Sequence, residues 1–409
     1  MGLPMKLLFV CRFLPHPQVR DSGGQDVYHY IASLSQAHEV SLIAFVTPDQ
    51  ARAVAAMEAV CREVVAVPYR PGALAGRVWR AGWRVLRPSV YGRVVSPAYG
   101  RALRRLVARQ RFDVAVVDGM MAGYGRLLGR VPRVLDEIDL YSLVAYQAYA
   151  GQPPGWRRRW ARRDWLRTLA FELDYVREYA GVLVRSAADE AFLRAYGLPR
   201  PVAVVAPWFE GLESLQSIPL ARPPGDGLLF MGAMSHQKNI AAVQFFVTEV
   251  LPLVRQQVPA ATLTVVGGNP AGAVQALAQQ PGVVVTGEVP DLTPYYAACA
   301  VNVVPLLTGG GIIVKTLNGL AAGRPTVSTP LGNAGTGARP GQELLVVPPE
   351  PAALAEAVVQ VLTDPALWQR LATAGRQFVG QQYDWPANMA RLVAFLAGVA
   401  GESSVNRPE

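Results

Sequence analysis

The chain has 409 residues, a length that suits two domains better than one. Hydrophobic residues make up 51% of it and the mean hydropathy is +0.20, which allows large buried cores and excludes a disordered chain, the polar end "GESSVNRPE" apart. The positive charge is one-sided: residues 1–205 hold 29 Lys+Arg against 17 Asp+Glu, net +12, and residues 206–409 hold 10 against 13, net −3, so an acidic partner suits only the first half.

From the start, "MKLLFVCRFLP" offers only a short apolar stretch after Lys6, too brief for a signal-peptide core, and reads as a first β-strand. No apolar run approaches the about 20 residues of a membrane-spanning helix. Short apolar runs then alternate with helical patterns, the signature of parallel sheets flanked by helices. Strands are expected at 6–11, 39–45, 63–68, 113–118, 131–136 and 181–185. The pattern breaks in the Pro- and Gly-rich "APWFEGLESLQSIPLARPPGDG" (206–227) and restarts. "DGLLFMGAM", "ATLTVVGG", "GVVVTGEV", "AVNVVPL", "RPTVSTP" and "ELLVVPP" supply six further strands. The expected fold is α/β: two doubly wound Rossmann-like domains, 1–205 and 206–385, facing a cleft. A C-terminal helix and polar tail, 386–409, would pack back towards the first domain. Cys11, Cys61 and Cys299 are scattered, odd in number and without CxxC spacing, as core fillers in a reducing cytoplasm would be.

Ligands of such sheets bind beyond the carboxyl ends of the strands. After the first strand, Gly23 and Gly24 precede a helix with the apolar stripe Val27, Tyr30, Ile31 and Leu34. Paired glycines there let an anion reach backbone N–H groups, although a simple turn fits equally. In "FMGAMSHQKNIAAVQFF", Gly232 follows a strand, Lys238 comes six residues later, and Asn239 is the expected N-cap. Lys238 and Lys315 are the two lysines after residue 205, where arginine supplies the remaining positive charge. A compact ammonium at a sheet edge suits a phosphate, against the plain alternative of a solvated surface lysine. "PLLTGGGIIVKTLNGLAAGRPTVS" places Thr308, Gly309, Gly310 and Gly311 before a helix expected from about Ile312 to Ala322, with Lys315 and Asn318 on one face. Three glycines in a row are entropically costly unless something must come close.

Two basic stretches mark the first half. Residues 77–111 hold ten arginines and no acid, and "WRRRWARRDWLRTLAFELDY" sets Trp156, Trp160, Leu166 and Leu169 among six arginines. Arginine with tryptophan on a helix fits an anionic membrane surface. A solvated face or another acidic partner fits as well, and no nucleic-acid fold motif accompanies the pattern.

The segment from "LLFMGAMSHQKN" through "TGEVPDLTPYY" to "PLLTGGGIIVKTLNGLAAGRPTVST" resembles, in order and spacing, the donor-binding domain of the retaining glycosyltransferases of family 4, which have the GT-B fold. The first half is similar too, from the Gly-Gly loop through "VLDEIDLYS" to "VLVRSAADEAFL". The resemblance implies transfer of a hexosyl group from a UDP- or GDP-sugar to a glycan, lipid-linked or small-molecule acceptor, with retention. The sequence has no Asp-x-Asp triplet and no His/Cys cluster, so the transfer is expected to need no metal or separate cofactor. It sets Gly23 and Gly24 over the donor diphosphate, with Lys238 neutralising the same phosphates. Gly309, Gly310 and Gly311 lead the helix that receives the sugar nucleotide, with Gly232, Thr308, Ile312, Lys315 and Asn318 around it. Gly287, Glu288 and Val289 would meet the base through their backbone, and Asp139 would lie near the reacting sugar. A cytoplasmic place, peripheral at the inner face of the cell membrane, goes with this reading. Four positions depart from the family pattern: Gly310 and Asn318 stand where two glutamates are common, Ala233 where an arginine is, and Ile138 where a histidine is. The alternative they raise is a catalytically degenerate GT-B protein that binds nucleotide or glycan, or supports a partner enzyme.

Overall fold

Leu7, Leu8, Phe9 and Val10 are buried without alternation, the pattern of a strand covered on both faces. That strand lies inside the first of two parallel sheets in the computed structural model, which describes residues 4–19, 22–69, 91, 94–198, 200–208, 211–309 and 311–405. The chain divides into two units, Met1–Trp208 with Trp385–Glu409, and Phe209–Asp384.

The first unit runs β1 (Lys6–Phe13), α1 (Ser22–Leu34), β2 (Glu39–Val46), α2 (Ala51–Glu58), β3 (Glu63–Pro68), α3 (Pro97–Arg109), β4 (Val114–Asp118), β5 (Arg133–Glu137), α4 (Tyr141–Ala150), α5 (Trp156–Val176), β6 (Gly181–Val184), α6 (Ala187–Ala195) and β7 (Val202–Val204). Its seven strands lie in the order β3-β2-β1-β4-β5-β6-β7, every pairing parallel. The expected stripe of α1 is buried, and Tyr99 of α3 is satisfied inside the core by donating to the carbonyls of Cys11 and Ile43, both at 2.9 Å. All three cysteines are buried free thiols.

The second unit runs β8 (Gly227–Met231), α7 (Gln237–Phe245), α8 (Leu251–Gln257), β9 (Thr262–Val266), β10 (Val283–Gly287), α9 (Thr293–Ala298), β11 (Val301–Val304), α10 (Val314–Ala321), β12 (Thr326–Ser328), β13 (Leu345–Val346), α11 (Pro351–Thr363) and α12 (Pro365–Gln382). The strand order is β10-β9-β8-β11-β12-β13, again parallel, so the direction of winding reverses between β8 and β11. Crevices in doubly wound sheets form at such reversals.

The last helix, α13 (Trp385–Val405), belongs with the first unit. Leu392, Leu396 and Val399 share a core with Leu7 and Phe9, and Phe395 lies so close over Gly181 that a Cβ there would come within 2.6 Å of its ring. The residues where the chain leaves and re-enters this unit are both tryptophans packed on α1. Trp208 stacks on His29 with ring centres 3.4 Å apart, and Trp385 on Tyr30 at 5.4 Å.

The structure departs from expectation at the ends of elements. Gly23 and Gly24 lie inside the first turn of α1 rather than ahead of it. β7 was not anticipated, being three residues long beside Pro201. The helix after β8 starts at Gln237 with His236 at the N-cap position, so Asn239 is not the cap; its side chain is used elsewhere. Gly310 and five arginines of 77–111 (Arg77, Arg80, Arg84, Arg87 and Arg93) lie outside the described residues.

Candidate functional site

Four strand ends of the second sheet present loops at its carboxyl edge. β8 is followed by Gly232, whose backbone is tightly packed: a Cβ there would lie 2.7 Å from both the Asn239 amide nitrogen and the Lys315 ammonium. β9 is followed by Gly267 and Gly268. At Gly267, φ is +154° and a Cβ would fall 1.8 Å from the Gly232 carbonyl oxygen, so only glycine fits where these two loops cross. Gly268 packs against the Glu288 carboxylate, which follows Gly287 at the end of β10. Gly287 has φ +79° and its carbonyl accepts from the Gly267 N–H at 3.0 Å, while Val289 beside it is half-buried. After β11, Thr308 is exposed, Gly309 has φ +135° and Gly311 φ +74°. Ile312 is half-buried and packs near Gly335.

Both lysines arrive here. Lys238, half-buried in the first turn of α7, runs alongside Gly309, where a Cβ would touch its Cδ at 3.3 Å. Lys315, in the first turn of α10, donates to the Asn239 Oδ1 at 2.6 Å and sits over the Phe230 ring at 4.6 Å. Asn239 holds its own position by donating to the Ala233 carbonyl at 2.9 Å. Burial, and then the neighbouring Lys238 charge, push the Lys315 ammonium down to about 7. Neither lysine makes an ion pair among the described residues. Two adjoining cations without a carboxylate are costly, and an anion bound between the glycine loops would relieve that cost. No side chain caps α10, so its first N–H groups add to the same field.

The structure brings together Gly232, Lys238, Gly309, Gly311 and Lys315, along with Gly287 and Glu288 through Gly267 and Gly268. Gly267 and Gly268 were not singled out from sequence, although "VVGGNP" after a strand was a visible signal, and Asn239 was expected only as an N-cap. Asn318 is different. It is 3% exposed, enclosed beside the Tyr296 hydroxyl, and its Oδ1 has no hydrogen-bond partner among the described residues. Its amide is therefore shut inside the unit rather than open to a ligand.

The first unit holds the other expected residues. Gly23 is buried and Gly24 half-buried; Asp139 is exposed in the link between β5 and α4. Behind them is a buried charge cluster the sequence did not announce. Arg185, after β6, makes a two-point pair with Asp136 at the end of β5 (2.8 and 3.1 Å) and lies over the Tyr30 ring. Asp26 of α1 sits 3.6 Å from the same guanidinium. Burial raises the Asp26 carboxyl to about 8 despite Arg185 and a hydrogen bond from the Trp208 N–H. Asp118 accepts from the Met120 N–H at 2.8 Å, capping the turn after β4, and burial raises it to about 6. No group of three or more His, Cys, Asp or Glu arranged for a metal is found among the described residues.

Residues 225–364 match the family model for glycosyl transferases group 1. The chain is 26% identical over 342 residues to the GDP-mannose-dependent alpha-(1-6)-phosphatidylinositol monomannoside mannosyltransferase of Mycobacterium tuberculosis, covering 78% of this chain and 84% of that protein. Among solved structures it is similar to sucrose-phosphate synthase from Thermosynechococcus elongatus (TM-score 0.67, 17% identity, 97% of this chain and 100% of that one). It is also similar to Anabaena HepE in complex with UDP and glucose (TM-score 0.61, 15% identity, 96% and 99%). Two parallel-sheet Rossmann-like units and these neighbours make the fold GT-B.

Proposed function

We propose that the protein is a glycosyltransferase that takes a hexosyl group from a nucleoside-diphosphate sugar. The family match, the mannosyltransferase relative and the GT-B neighbours support the coarse reading. The observation that carries the donor site is the Lys238–Lys315 pair, set without a carboxylate at the winding reversal of the second sheet.

Breaking an anomeric bond to a nucleoside diphosphate puts negative charge on the departing phosphates. Fixed cations and N–H groups aimed at that charge stabilise the transition state more than the ground state. Lys238, Lys315 and the amides around Gly309 and Gly311 supply both, so the reading is metal-independent and needs no separate cofactor. Gly287, Glu288 and Val289, at the end of β10, take the base. Retention of configuration, the diphosphate contact of Gly23 and Gly24, and orientation of the sugar by Asp139 belong to the same proposal. The relative's printed donor makes GDP-mannose the first sugar nucleotide to try, with UDP-sugars next because HepE was solved with UDP. A lipid-linked or polysaccharide acceptor at the cytoplasmic face of a membrane completes the reading. No helix of the described residues is long and apolar enough to cross a membrane.

A second reading rests on Asn318. Where the family commonly has a glutamate, this chain has an enclosed amide, so a protein that binds nucleotide without transferring sugar is the alternative. Donor hydrolysis separates the two. Release of nucleoside diphosphate from a GDP- or UDP-sugar, lowered at least about tenfold in kcat by Asp139→Ala with nucleotide affinity kept, supports transfer. Binding of nucleotides with no turnover of any sugar nucleotide supports the alternative.

A further inference from the structure

Five of the eight exposed large hydrophobic side chains among the described residues lie on one helical hairpin, α4–α5: Val144, Tyr146, Trp156, Trp160 and Leu166. Trp156 is 74% exposed and Trp160 61%. Leaving two indoles in water forgoes the free energy of burying them, and soluble surfaces rarely gather apolar groups this way.

The same helix carries the charge. Its first eight residues, "WRRRWARR", contain five arginines and no acid. α5 buries one face through Thr168, Glu172, Tyr175 and Val176. The opposite face of its first turns carries Trp156, Arg159, Trp160 and Arg163, spaced three and four apart, with Arg162 and Leu166 beside them. Arg159, Arg162 and Arg163 are exposed and have no ion-pair partner among the described residues. Five arginines at a helix start oppose the helix dipole, and no acidic side chain in the first turn offsets them. The hairpin is held close to its turn: Trp165 stacks on Tyr149 at 5.5 Å, and Arg158 lies over Tyr149 at 5.2 Å. The ridge is thus a fixed presentation of indoles and guanidiniums.

We propose that this ridge docks the protein on a bilayer surface rich in anionic phospholipid. The indoles enter the headgroup–acyl boundary, where they have both an apolar and a polar side to satisfy, and the arginines lie on the phosphates. A nucleic acid would answer the arginines but gives exposed Val144 and Leu166 nothing, and a hairpin is a ridge rather than a groove. The inference takes its setting from the lipid-linked acceptor proposed above. Its test does not depend on that reading, because vesicle binding and nucleotide binding are measured separately.

Full-length protein is sedimented with vesicles of phosphatidylcholine, with and without phosphatidylglycerol, over a range of salt. Binding to the anionic vesicles at low salt, falling as salt rises and accompanied by a blue shift of tryptophan emission, is the expected result. Trp156→Ser with Trp160→Ser should weaken binding at least about tenfold. Arg159→Gln and Arg163→Gln should each weaken it about fivefold and flatten the salt dependence. All variants should keep the wild-type thermal midpoint and nucleotide affinity. Equal binding to neutral vesicles, no binding at low salt, or wild-type binding by the tryptophan variant overturns the proposal. So does a concentration-dependent dimer, or retention of a single-stranded RNA oligomer, that the tryptophan variant abolishes while vesicle binding persists.

Discussion

At the carboxyl edge of the first sheet, Arg185 meets both carboxylate oxygens of Asp136, one through a hydrogen bond, and has Asp26 3.6 Å away. At the same edge of the second sheet, Lys238 and Lys315 have each other, an asparagine and a phenyl ring. Both edges bury charge, but only the first balances it with residues of its own. A balanced cluster holds a fold together or sets a shape. An unbalanced one is stable only because the rest of the unit outweighs it, and it gains most when an opposite charge arrives. That contrast is why we place the proposed anion site at the lysine edge, although the first half of the chain is net +12 and the second net −3.

The largest effect should come from breaking the balanced cluster. Arg185→Met leaves Asp136 buried without a partner and should destabilise the first unit by about 3–5 kcal/mol in denaturant titration. An unchanged midpoint would mean the pair is idle. The matching change at the other edge should have the opposite sign. Lys315→Met removes a desolvated cation and should stabilise the second unit by about 1 kcal/mol at pH 6. The folded-state value of Lys315, about 7, lies below its ordinary 10.5. Its penalty is therefore whole below about pH 7 and fades as pH rises toward 10.5, so wild-type stability climbs through that window and the variant's does not. Thermal melts at several pH values read both slopes.

The smallest effect sharpens the contrast. Asp26 keeps its proton up to about 8 in the fold, against an ordinary 3.8. Between those values the folded state holds a proton that the unfolded chain has lost, so Asp26 makes stability fall as pH rises from about 4 to about 8. Asp26→Asn should shift the midpoint by less than about 1 kcal/mol at pH 5 and remove that part of the slope. A slope of unchanged steepness would show that Arg185 holds Asp26 ionised after all.

How much of this was legible in the sequence follows from the range of the interactions. Strands such as Leu7–Val10 and Val301–Val304 announce themselves because a parallel strand covered on both faces is apolar without a break. β7, only Val202–Val204, is too short to show a period. Glycines after strands pointed to the lysine edge, and the two lysines stood out against a background of arginine. The partner of Lys315 did not: Asn239 lies 76 residues away, and its position near a helix start suggested a cap. Arg185 and Asp136 are 49 residues apart and meet only because β5 and β6 are neighbours. Asn318 shows the limit of reading a face from spacing, since it sits three residues from Lys315 yet points into the unit.

The central claim is that Lys238 and Lys315 hold a pyrophosphate. Calorimetric titration of GDP and UDP into the wild type and Lys238→Ala tests it directly. One diphosphate should bind, Lys238→Ala should weaken it at least about tenfold, and affinity should fall from about pH 7 to about pH 9, where Lys315 must take up a proton to bind. Equal affinity in the variant, or no binding of either diphosphate at pH 7, would contradict it.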